Sequence, residues 1–319
     1  MKILCICLSA GIQKTADFAT FRTQSVNRAR TYRTDASGKA VNTARVLNQL
    51  EKNSSLLICP AGIQNEAEFR ALCQKDALCV KTVPITGRTR ECLTLLDAEQ
   101  RNTTEVILTE PGTDADYHTA EKRILNLVSK EVRDADAAVL AGSAPAYFSR
   151  NLLSSIAKTV CSAKKLLLAD YCGEPLNATL MECTPAFIKI NEEEFRKTFC
   201  GNAADSGNAA ECGTTAKCSG DEQALKDKIM EESRRTGGAV IVTRGTLPTY
   251  AAQDGVFYEC PAERVSAVNT TACGDSFNAG FLYEYIKSGD FAAALQKGTW
   301  CAARNAESVA PGDITGARF

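Results

Sequence analysis

Residues 269–286 read NTTACGDSFNAGFLYEYI and indicate a loop that runs directly into an amphipathic helix. Phe277, Phe281 and Tyr285 recur at every fourth position and share one face of that helix. Small residues precede Asp275, so the backbone N–H groups of the first turn are left open. The N-terminus of a helix attracts anions because of these unpaired donors and the helix dipole. The stretch therefore predicts an anion site with the Asp275 carboxylate beside it.

Asp275 is the candidate catalytic residue of this stretch. A carboxylate next to a bound phosphate can remove a proton, which is what transfer of a phosphoryl group to an alcohol requires. The alternative is an ordinary aspartate in the first turn of a helix, where acidic residues are common. This segment alone leaves the two interpretations open.

A second stretch, SGKAVNTARVL at residues 37–47, also runs from a small-residue turn into a helix. Lys39 and Asn42 lie three residues apart and therefore share a face near its start. A cation and an amide beside a helix N-terminus again suit an oxyanion. The stretch does not match the P-loop pattern G-x-x-x-x-G-K-[ST], and no G-x-G-x-x-G follows a predicted strand.

Together the two stretches resemble the two signatures of the ribokinase/PfkB carbohydrate kinase superfamily, G-G-K-x-x-N-x-A and D-T-x-G-A-G-D-[SA]-F. The resemblance runs nearly end to end, because further segments follow in the family's order. They are GRTR at 87–90, TEPG at 109–112, GSAP at 142–145, DYCGE at 170–174, KINEEE at 189–194 and VTRG at 242–245. VNR at 26–28, the Thr-Arg pair and Glu-Pro-Gly look like the branch of 1-phosphofructokinase and tagatose-6-phosphate kinase.

Short apolar runs alternate with helical patterns, which predicts an α/β fold. We expect a doubly wound, mostly parallel central sheet with helices on both faces. The predicted strands are Ile3-Leu8, Leu56-Cys59, Ala137-Leu140, Leu166-Asp170, Phe187-Ile190 and Ala239-Thr243. The predicted helices begin near Glu66, Thr119, Ser149, Glu222, Asp275 and Phe291.

Two segments break this alternation. Residues 18–33 and 91–108 look extended, the latter around a turn from Asp97 to Asn102, so they can pair into a small separate sheet. The resemblance implies that these strands form a β lid over the sugar. We expect one kinase domain spanning residues 1–319, with a mobile insertion at the Gly-, Ala- and Asn-rich residues 201–220.

The resemblance implies a kinase that uses ATP and Mg²⁺ to phosphorylate a hydroxyl of a sugar phosphate, with Asp275 as the general base. The backbone N–H groups of Ala272, Cys273 and Gly274 match the family's anion hole, and Glu194 matches its metal-side position. The nucleotide-binding positions are Lys189, Asn191, Thr243, Gly245 and Asn305. The substrate-binding positions are Gln13, Gly38, Lys39, Asn42, Arg90 and Ser143, of which Lys39 and Arg90 fall near the acceptor's own phosphate.

Each assignment has a structural alternative. Asn191 with the acidic residues up to Glu194 also fits a helix N-cap followed by a charged first turn. Lys39 and Arg90 also fit solvated surface charges.

The chain departs from the family pattern at four places. The family's N-P-A-x-D reads SAGIQ at 9–13, so that Gln13 stands where a carboxylate normally accepts bonds from sugar hydroxyls. Ser37 and Ala272 replace glycines of the two signatures, and Pro248 stands where the nucleotide loop has its second glycine. We expect the anion hole to tolerate Ala272, provided that its φ stays negative.

Composition limits the partners. A net charge of −1 and a pI near 6.1 give no basic footprint for nucleic acid or an anionic membrane, and no apolar run is long enough to span one. The odd count of 15 cysteines, several of them in apolar strand-like runs, fits unpaired thiols in a reducing, cytoplasmic setting. Pairing of lid strands between subunits would give a homodimer.

Two other functions remain open. One is a kinase of a nucleoside or an unphosphorylated sugar, which Lys39 together with Arg90 disfavours. The other is a non-catalytic relative that binds a nucleotide or sugar phosphate, which Gln13 and Ala272 suggest and the retained Asp275 disfavours.

Overall fold

The buried apolar runs form the strands of a large central sheet, as the sequence predicts. The computed structural model describes residues 1–108, 117–200 and 222–316. In chain order the strands are β1 (Ile3–Ile6), β2 (Gly11–Phe18), β3 (Thr31–Ser37), β4 (Ser55–Gly62), β5 (Val80–Ile85), β6 (Arg90–Asp97), β7 (Asn102–Ile107), β8 (Ala137–Ala141), β9 (Leu166–Asp170), β10 (Phe187–Asn191), β11 (Ala239–Arg244), β12 (Leu247–Gln253) and β13 (Val256–Cys260).

Helices connect these strands, with starts close to the predicted ones. They are α1 (Lys39–Leu50), α2 (Glu66–Lys75), α3 (His118–Glu131), α4 (Leu152–Ser162), α5 (Glu174–Glu182), α6 (Glu192–Phe199), α7 (Glu222–Thr236), α8 (Cys273–Ser288) and α9 (Phe291–Ala306). A single turn of 3-10 helix, Val132–Asp134, follows α3. No helix in the three described ranges is long and apolar enough to cross a membrane.

The central sheet has the strand order β13-β12-β11-β10-β9-β8-β1-β4-β5. Its strands from β11 through to β5 pair in parallel, and β12 and β13 add an antiparallel edge. Parallel strands end at the same edge of a sheet, which is where the loops of a doubly wound fold place their ligands. The predicted doubly wound sheet is confirmed.

The hydrophobic core lies in two layers, one on each face of this sheet. Along β1, Ile3 and Cys5 point into the layer that also holds Val41, Phe277 and Phe281 of the helices. The alternate residues of β1 point into the opposite layer, which contains apolar residues of α3, α4 and α7. Helices therefore cover both faces, and the buried thiols pack as small hydrophobic groups.

A second, smaller sheet has the strand order β3-β2-β6-β7. Its β6–β7 hairpin occupies the predicted segment 91–108 and turns between Asp97 and Asn102, as expected. The other predicted segment, 18–33, is wrong as an extended stretch. Residues 19–30 are irregular, and the strands lie on either side of them, as β2 and β3.

Two predicted features lie outside the described residues. They are the insertion at residues 201–220 and the TEPG segment at 109–112.

Helices α8 and α9 pack closely because glycines lie at their contact. A Cβ at Gly280 would lie 2.6 Å from both Cys301 Sγ and Lys297 O, and one at Gly298 would lie 3.0 Å from the Phe277 ring. Real Cβ atoms essentially never approach as closely as 2.6 Å, so the two helices can lie at this distance only with glycine at position 280.

This contact predicts the sign of a stability change. Alanine in an uncrowded helix stabilises by about 1 kcal/mol relative to glycine. At Gly280 we expect the reverse, a loss of about 1–3 kcal/mol, because the added methyl group overpacks the contact. Urea unfolding of Gly280→Ala measures it, with Glu284→Ala on the same helix as a control expected within about 0.5 kcal/mol of the parent. A stabilised Gly280→Ala protein would contradict this packing.

Candidate active site

The two signature stretches meet at the carboxyl ends of the central strands. Helix α1 begins after Gly38, whose φ is 128°, and α8 begins after Ala272. Asn42 Nδ2 donates a 2.8 Å hydrogen bond to Asp275 Oδ2, and Thr43 Oγ1 donates a 3.1 Å bond to the backbone carbonyl of Asp275. Residues more than 230 positions apart therefore form one site.

Asp275 has an environment suited to a base. It is 7% exposed and lies in the first turn of α8. Burial, followed by the nearby negative charge of Asp170, raises the pKa of Asp275 to about 6, against the opposing effect of the Asn42 hydrogen bond. A carboxylate with this pKa is ionised near neutrality and is basic enough to accept a proton.

A second buried carboxylate, Asp170, ends β9 next to Asp275. Its oxygens lie 2.9 Å from Lys39 Nζ and 3.2 Å from Lys189 Nζ, and Asn278 donates a 2.6 Å hydrogen bond to it. Burial alone would raise the pKa of Asp170, but Lys189 and Lys39 outweigh burial and lower it to about 2. Asp170 therefore stays ionised.

The two lysines carry positive charge to the N-terminus of α8. Burial would lower the pKa of Lys39, but the charges of Asp170 and Glu194 outweigh it, so that its pKa is raised. A Cβ at Gly274 would lie 2.7 Å from Lys189 Nζ, so this ammonium group lies directly against the helix start. The backbone N–H of Cys273 donates to the Thr270 carbonyl at 3.3 Å. Ammonium groups beside the other N–H groups of a helix start suit a phosphoryl group.

The condition expected at Ala272, a negative φ, is not met. Its φ is 68°, in the left-handed region, so the backbone here needs the conformation that glycine provides freely. The next residue, Cys273, is half-buried, and burial raises the pKa of its thiol to about 11. The thiol therefore stays protonated and adds no negative charge to the predicted anion hole.

The predicted nucleotide residues fall into two groups. Asn191 and Thr243 are register partners on β10 and β11, and Gly245 follows at a φ of 62°. Asn305 is instead fully buried in α9, where its amide donates to the Thr271 carbonyl at 2.8 Å and accepts from Gly312 N at 2.6 Å. Its contacts hold the loop before α8, and the predicted adenine-side role stays a prediction.

Asn191 and Glu194 form a capping box at the start of α6. The Asn191 side chain accepts from Glu194 N at 2.8 Å, and Glu194 Oε2 accepts from Asn191 N at 2.9 Å. Both residues therefore have the helix-capping contacts of the structural alternative, and their predicted roles at the nucleotide and the metal stay predictions. Glu194 also lies 3.4 Å from Lys39 Nζ, which leaves it beside the phosphoryl site as well.

The predicted phosphate ligands Lys39 and Arg90 have different surroundings. Lys39 lies with Asp170 and Glu194, whereas Arg90 begins β6 and packs against Gly11 of β2. A pocket beside Arg90 is lined by Arg88, Thr89, Tyr117 and Tyr147 among others. Ser143 is exposed in the loop after β8.

The small sheet faces this site. Gln13 is buried on β2 and donates a 2.6 Å hydrogen bond to Thr94 on β6. Thr271, in the loop before α8, donates a 3.0 Å bond to Glu105 on β7. A direct contact therefore joins the small sheet to the predicted anion hole.

Sequence reasoning missed three residues of this site, namely Asp170, Asn278 and Glu105. Asp170 carried a usable signal, because a carboxylate directly after a buried strand lies at the ligand-binding edge of a parallel sheet. Glu105 carried none, because a charged residue in a predicted extended segment is typical of a solvated surface.

A family model described as pfkB family carbohydrate kinase matches residues 6–315. The chain belongs to the pfkB family. It is therefore a carbohydrate kinase, a phosphotransferase with an alcohol group as acceptor. Kinases of this family use ATP, generally with Mg²⁺.

Solved pfkB-type structures share the fold at low sequence identity. The phosphofructokinase-2 of Escherichia coli, solved with fructose-6-phosphate, is 15% identical with a TM-score of 0.78, covering 95% of this chain and 92% of its own. A possible 1-phosphofructokinase of Thermotoga maritima gives 16% and 0.78, covering 95% and 91%. The ribokinase of Thermotoga maritima gives 17% and 0.69, covering 98% and 95%.

The donor atoms of the pfkB site fit Mg²⁺ held mostly by phosphates and water. No group of three or more His, Cys, Asp or Glu side chains that could hold a metal ion occurs among the residues the structure describes. Glu194 offers a carboxylate with a quarter of its side chain exposed. Mg²⁺ retains several waters and takes few protein ligands at nucleotide sites, so one carboxylate is enough.

The backbone at Ala272 predicts a stabilising substitution. A left-handed conformation costs a residue with a Cβ about 1–2 kcal/mol, more than the entropy that glycine loses on folding. We therefore expect Ala272→Gly to raise the free energy of unfolding by about 0.5–1 kcal/mol in denaturant titrations. Ala71→Gly, at an exposed interior position of α2, is the control and should lose about 1 kcal/mol. Equal losses in both variants would contradict a left-handed Ala272.

Proposed function

We propose that this kinase transfers the γ-phosphoryl group of ATP to a hydroxyl of a sugar phosphate, with Asp275 as the general base. The observation that carries the proposal is the buried Asp275 carboxylate, whose pKa is raised to about 6 at a helix N-terminus flanked by two lysines. Base and phosphoryl site thus lie together, as in-line transfer to an alcohol requires.

The proposed chemistry assigns one task to each group. Asp275 accepts the proton of the attacking hydroxyl, and Asn42 holds the carboxylate in place. The N–H groups of Ala272, Cys273 and Gly274, with the ammonium groups of Lys39 and Lys189, stabilise negative charge on the transferring group. Bound Mg²⁺, on the side of Glu194, would neutralise charge on the nucleotide phosphates.

Arg90 supports a phosphorylated acceptor. Arg90 begins β6 of the small sheet, and Arg88 and Arg90 line the same pocket. Guanidinium groups bind phosphate through paired hydrogen bonds, so these arginines suit the acceptor's own phosphate. Lys39, which lies with Asp170 and Glu194, is better assigned to the transferring phosphoryl group than to the acceptor's phosphate.

One observation favours the alternative acceptor, a nucleoside or other unphosphorylated alcohol. Tyr117 and Tyr147 line the same pocket with their rings stacked, at a centroid distance of 4.1 Å. Aromatic side chains offer a face to a base or an apolar group. A non-catalytic function has less support, because a site that only binds has no use for a buried carboxylate with a raised pKa.

The proposed homodimer would form through the outer face of the small sheet. Tyr32 of β3 is 76% exposed and shares that face with Leu95 and Ala16, its neighbours across the strands. Half-buried apolar side chains on an open sheet face suit pairing with a second copy. Buried thiols such as those of Cys5 and Cys59 fit the proposed cytoplasmic location.

Removal of the base should sharply lower kcat. We expect Asp275→Asn to lower kcat by about 100-fold or more, with ATP binding nearly unchanged. For the parent protein, kcat/KM should fall as the pH drops below about 6, because protonation of Asp275 removes the base. Steady-state kinetics from pH 5 to 9 tests both. More than about a tenth of parental turnover in Asp275→Asn would reject the assignment.

Thermal unfolding of the same variant tests the raised pKa of Asp275 without an activity measurement. The pKa of Asp275 is raised from its ordinary value of 3.8 to about 6 in the folded protein. Its ionised form therefore destabilises the fold above about pH 6, whereas below pH 3.8 the carboxyl is protonated in both states and this destabilisation is absent. Asp275→Asn should therefore unfold at higher temperature than the parent at pH 8. The difference should vanish near pH 4.

The acceptor's phosphate is tested at Arg90. Loss of a charge-assisted hydrogen bond costs about 1.5–3 kcal/mol, so Arg90→Ala should raise KM for the phosphorylated sugar at least about tenfold. KM for ATP should stay within about twofold. Arg234→Ala, on an exposed position of α7, is the matched control. Equal activity of the parent on the phosphorylated and unphosphorylated sugar would reject the sugar-phosphate assignment and favour the alternative.

A further inference from the structure

Helix α1 contains a buried arginine, Arg45, to which the proposed function assigns no role. Its side chain is 2% exposed and lies one turn after Asn42. Arg45 Nε lies 2.8 Å from Asp76 Oδ2, at the end of α2, and the guanidinium group also donates to the carbonyls of Ala36 and Pro311. A buried guanidinium group with this many partners is held in one orientation.

The remaining contact of Arg45 leads to Asp275. Arg45 Nη1 donates a 2.6 Å hydrogen bond to Asn42 Oδ1, and Asn42 Nδ2 donates the 2.8 Å bond to Asp275 Oδ2. The amide of asparagine has one accepting end and one donating end, whereas arginine only donates and an ionised carboxylate only accepts. Arg45 therefore selects the amide orientation in which the NH₂ group points at Asp275.

We propose that Arg45 is a positioning residue that fixes the Asn42 amide as a hydrogen-bond donor to Asp275, and thereby keeps the base oriented and hydrogen-bonded. This inference rests on the proposed role of Asp275 as general base. Arg45 contacts neither of the proposed reacting groups and acts only through Asn42. Without Arg45, the amide is free to turn its oxygen toward the carboxylate, which would remove the bond.

Other charged and titratable groups also face Asp275. They are Asp170 on β9, Lys39 on α1, Lys189 on β10 and the thiols of Cys7 and Cys273. Asp170 disfavours the ionised base, the two lysines favour it, and both thiols stay protonated because burial raises their pKa values. Asn42 is neutral and acts on Asp275 through a hydrogen bond. The effect of that bond can therefore be tested while the surrounding charges stay unchanged.

The test is a double-mutant cycle of Arg45→Met and Asn42→Ala, read out by kcat and by the acid limb of the pH–rate profile. Each single variant should lower kcat by about tenfold and move the acid limb upward by about one pH unit, the size expected for a hydrogen bond to a charged group. In the Asn42→Ala background, Arg45→Met should cause no further change. KM for ATP should stay within about twofold throughout.

Two results would overturn the proposal. One is an unchanged acid limb in Arg45→Met. The other is an equal shift with and without Asn42, which would mean that the arginine acts through its charge alone. Ser233→Ala, which removes a buried hydrogen bond on α7 far along the chain, is the control for lost stability and should leave the limb unchanged.

Arg45→Met removes a charged partner of the buried Asp76 carboxylate and can fail to fold for that reason. The variant Arg45→Met/Asp76→Leu removes both charges of the pair and should show the same limb shift. The proposed function fails separately: an active Asp275→Asn protein would reject the base itself. An inactive Asp275→Asn protein with an unmoved limb in the Arg45 variants would reject only the positioning role.

Discussion

The hydrogen bond between Asn42 and Asp275 joins two helix N-termini that lie more than 230 residues apart in the sequence. The site depends on the contact between these two termini. Each terminus offers unpaired N–H groups, which favour a bound anion and disfavour an ammonium group. Nearby carboxylates offset this unfavourable interaction for the lysines. The parallel sheet makes the meeting possible, since the carboxyl ends of β1, β9 and β10 open at one edge. The glycines at the α8–α9 contact let α9 pack closely against the helix that carries Asp275.

Two buried carboxylates at this edge have opposite electrostatic surroundings. Asp170 contacts both lysines and the Asn278 amide, so its pKa falls to about 2 and it remains a fixed negative charge. Burial is the larger cause that raises the pKa of Asp275 to about 6, and the fixed charge of Asp170 adds to it because two neighbouring carboxylates resist joint ionisation. Environments that push two pKa values apart separate a structural charge from a titratable base, and here the lysines decide which carboxylate takes which role.

The sequence predicted the parts of this protein whose patterns are local. Buried parallel strands such as Leu166–Asp170 read as apolar runs, and Asp275 stands in a recognisable loop before a helix. The small sheet was harder to place, because β2 mixes apolar, polar and charged residues and pairs with β6 almost eighty positions away. Arg45 could not be found at all, because only tertiary structure shows whether a helical arginine meets solvent or a buried aspartate. The φ of Ala272 is likewise set by the packing of its neighbours.

That packing explains how an alanine persists where the family has glycine. Asn305 donates to the carbonyl of Thr271 and to Cys273 Sγ, so it holds the residues on both sides of Ala272. Asn305 is itself anchored, since its oxygen accepts from Gly312 N. Backbone strain survives only where the surroundings over-determine the conformation, and a buried amide with three partners does so here. The strain is therefore confined to one residue, while the N–H groups that follow keep the direction set by α8. The departure from glycine affects the stability of the loop more than the orientation of its donors, and Asp275, anchored through Asn42 on the opposite side, does not depend on it.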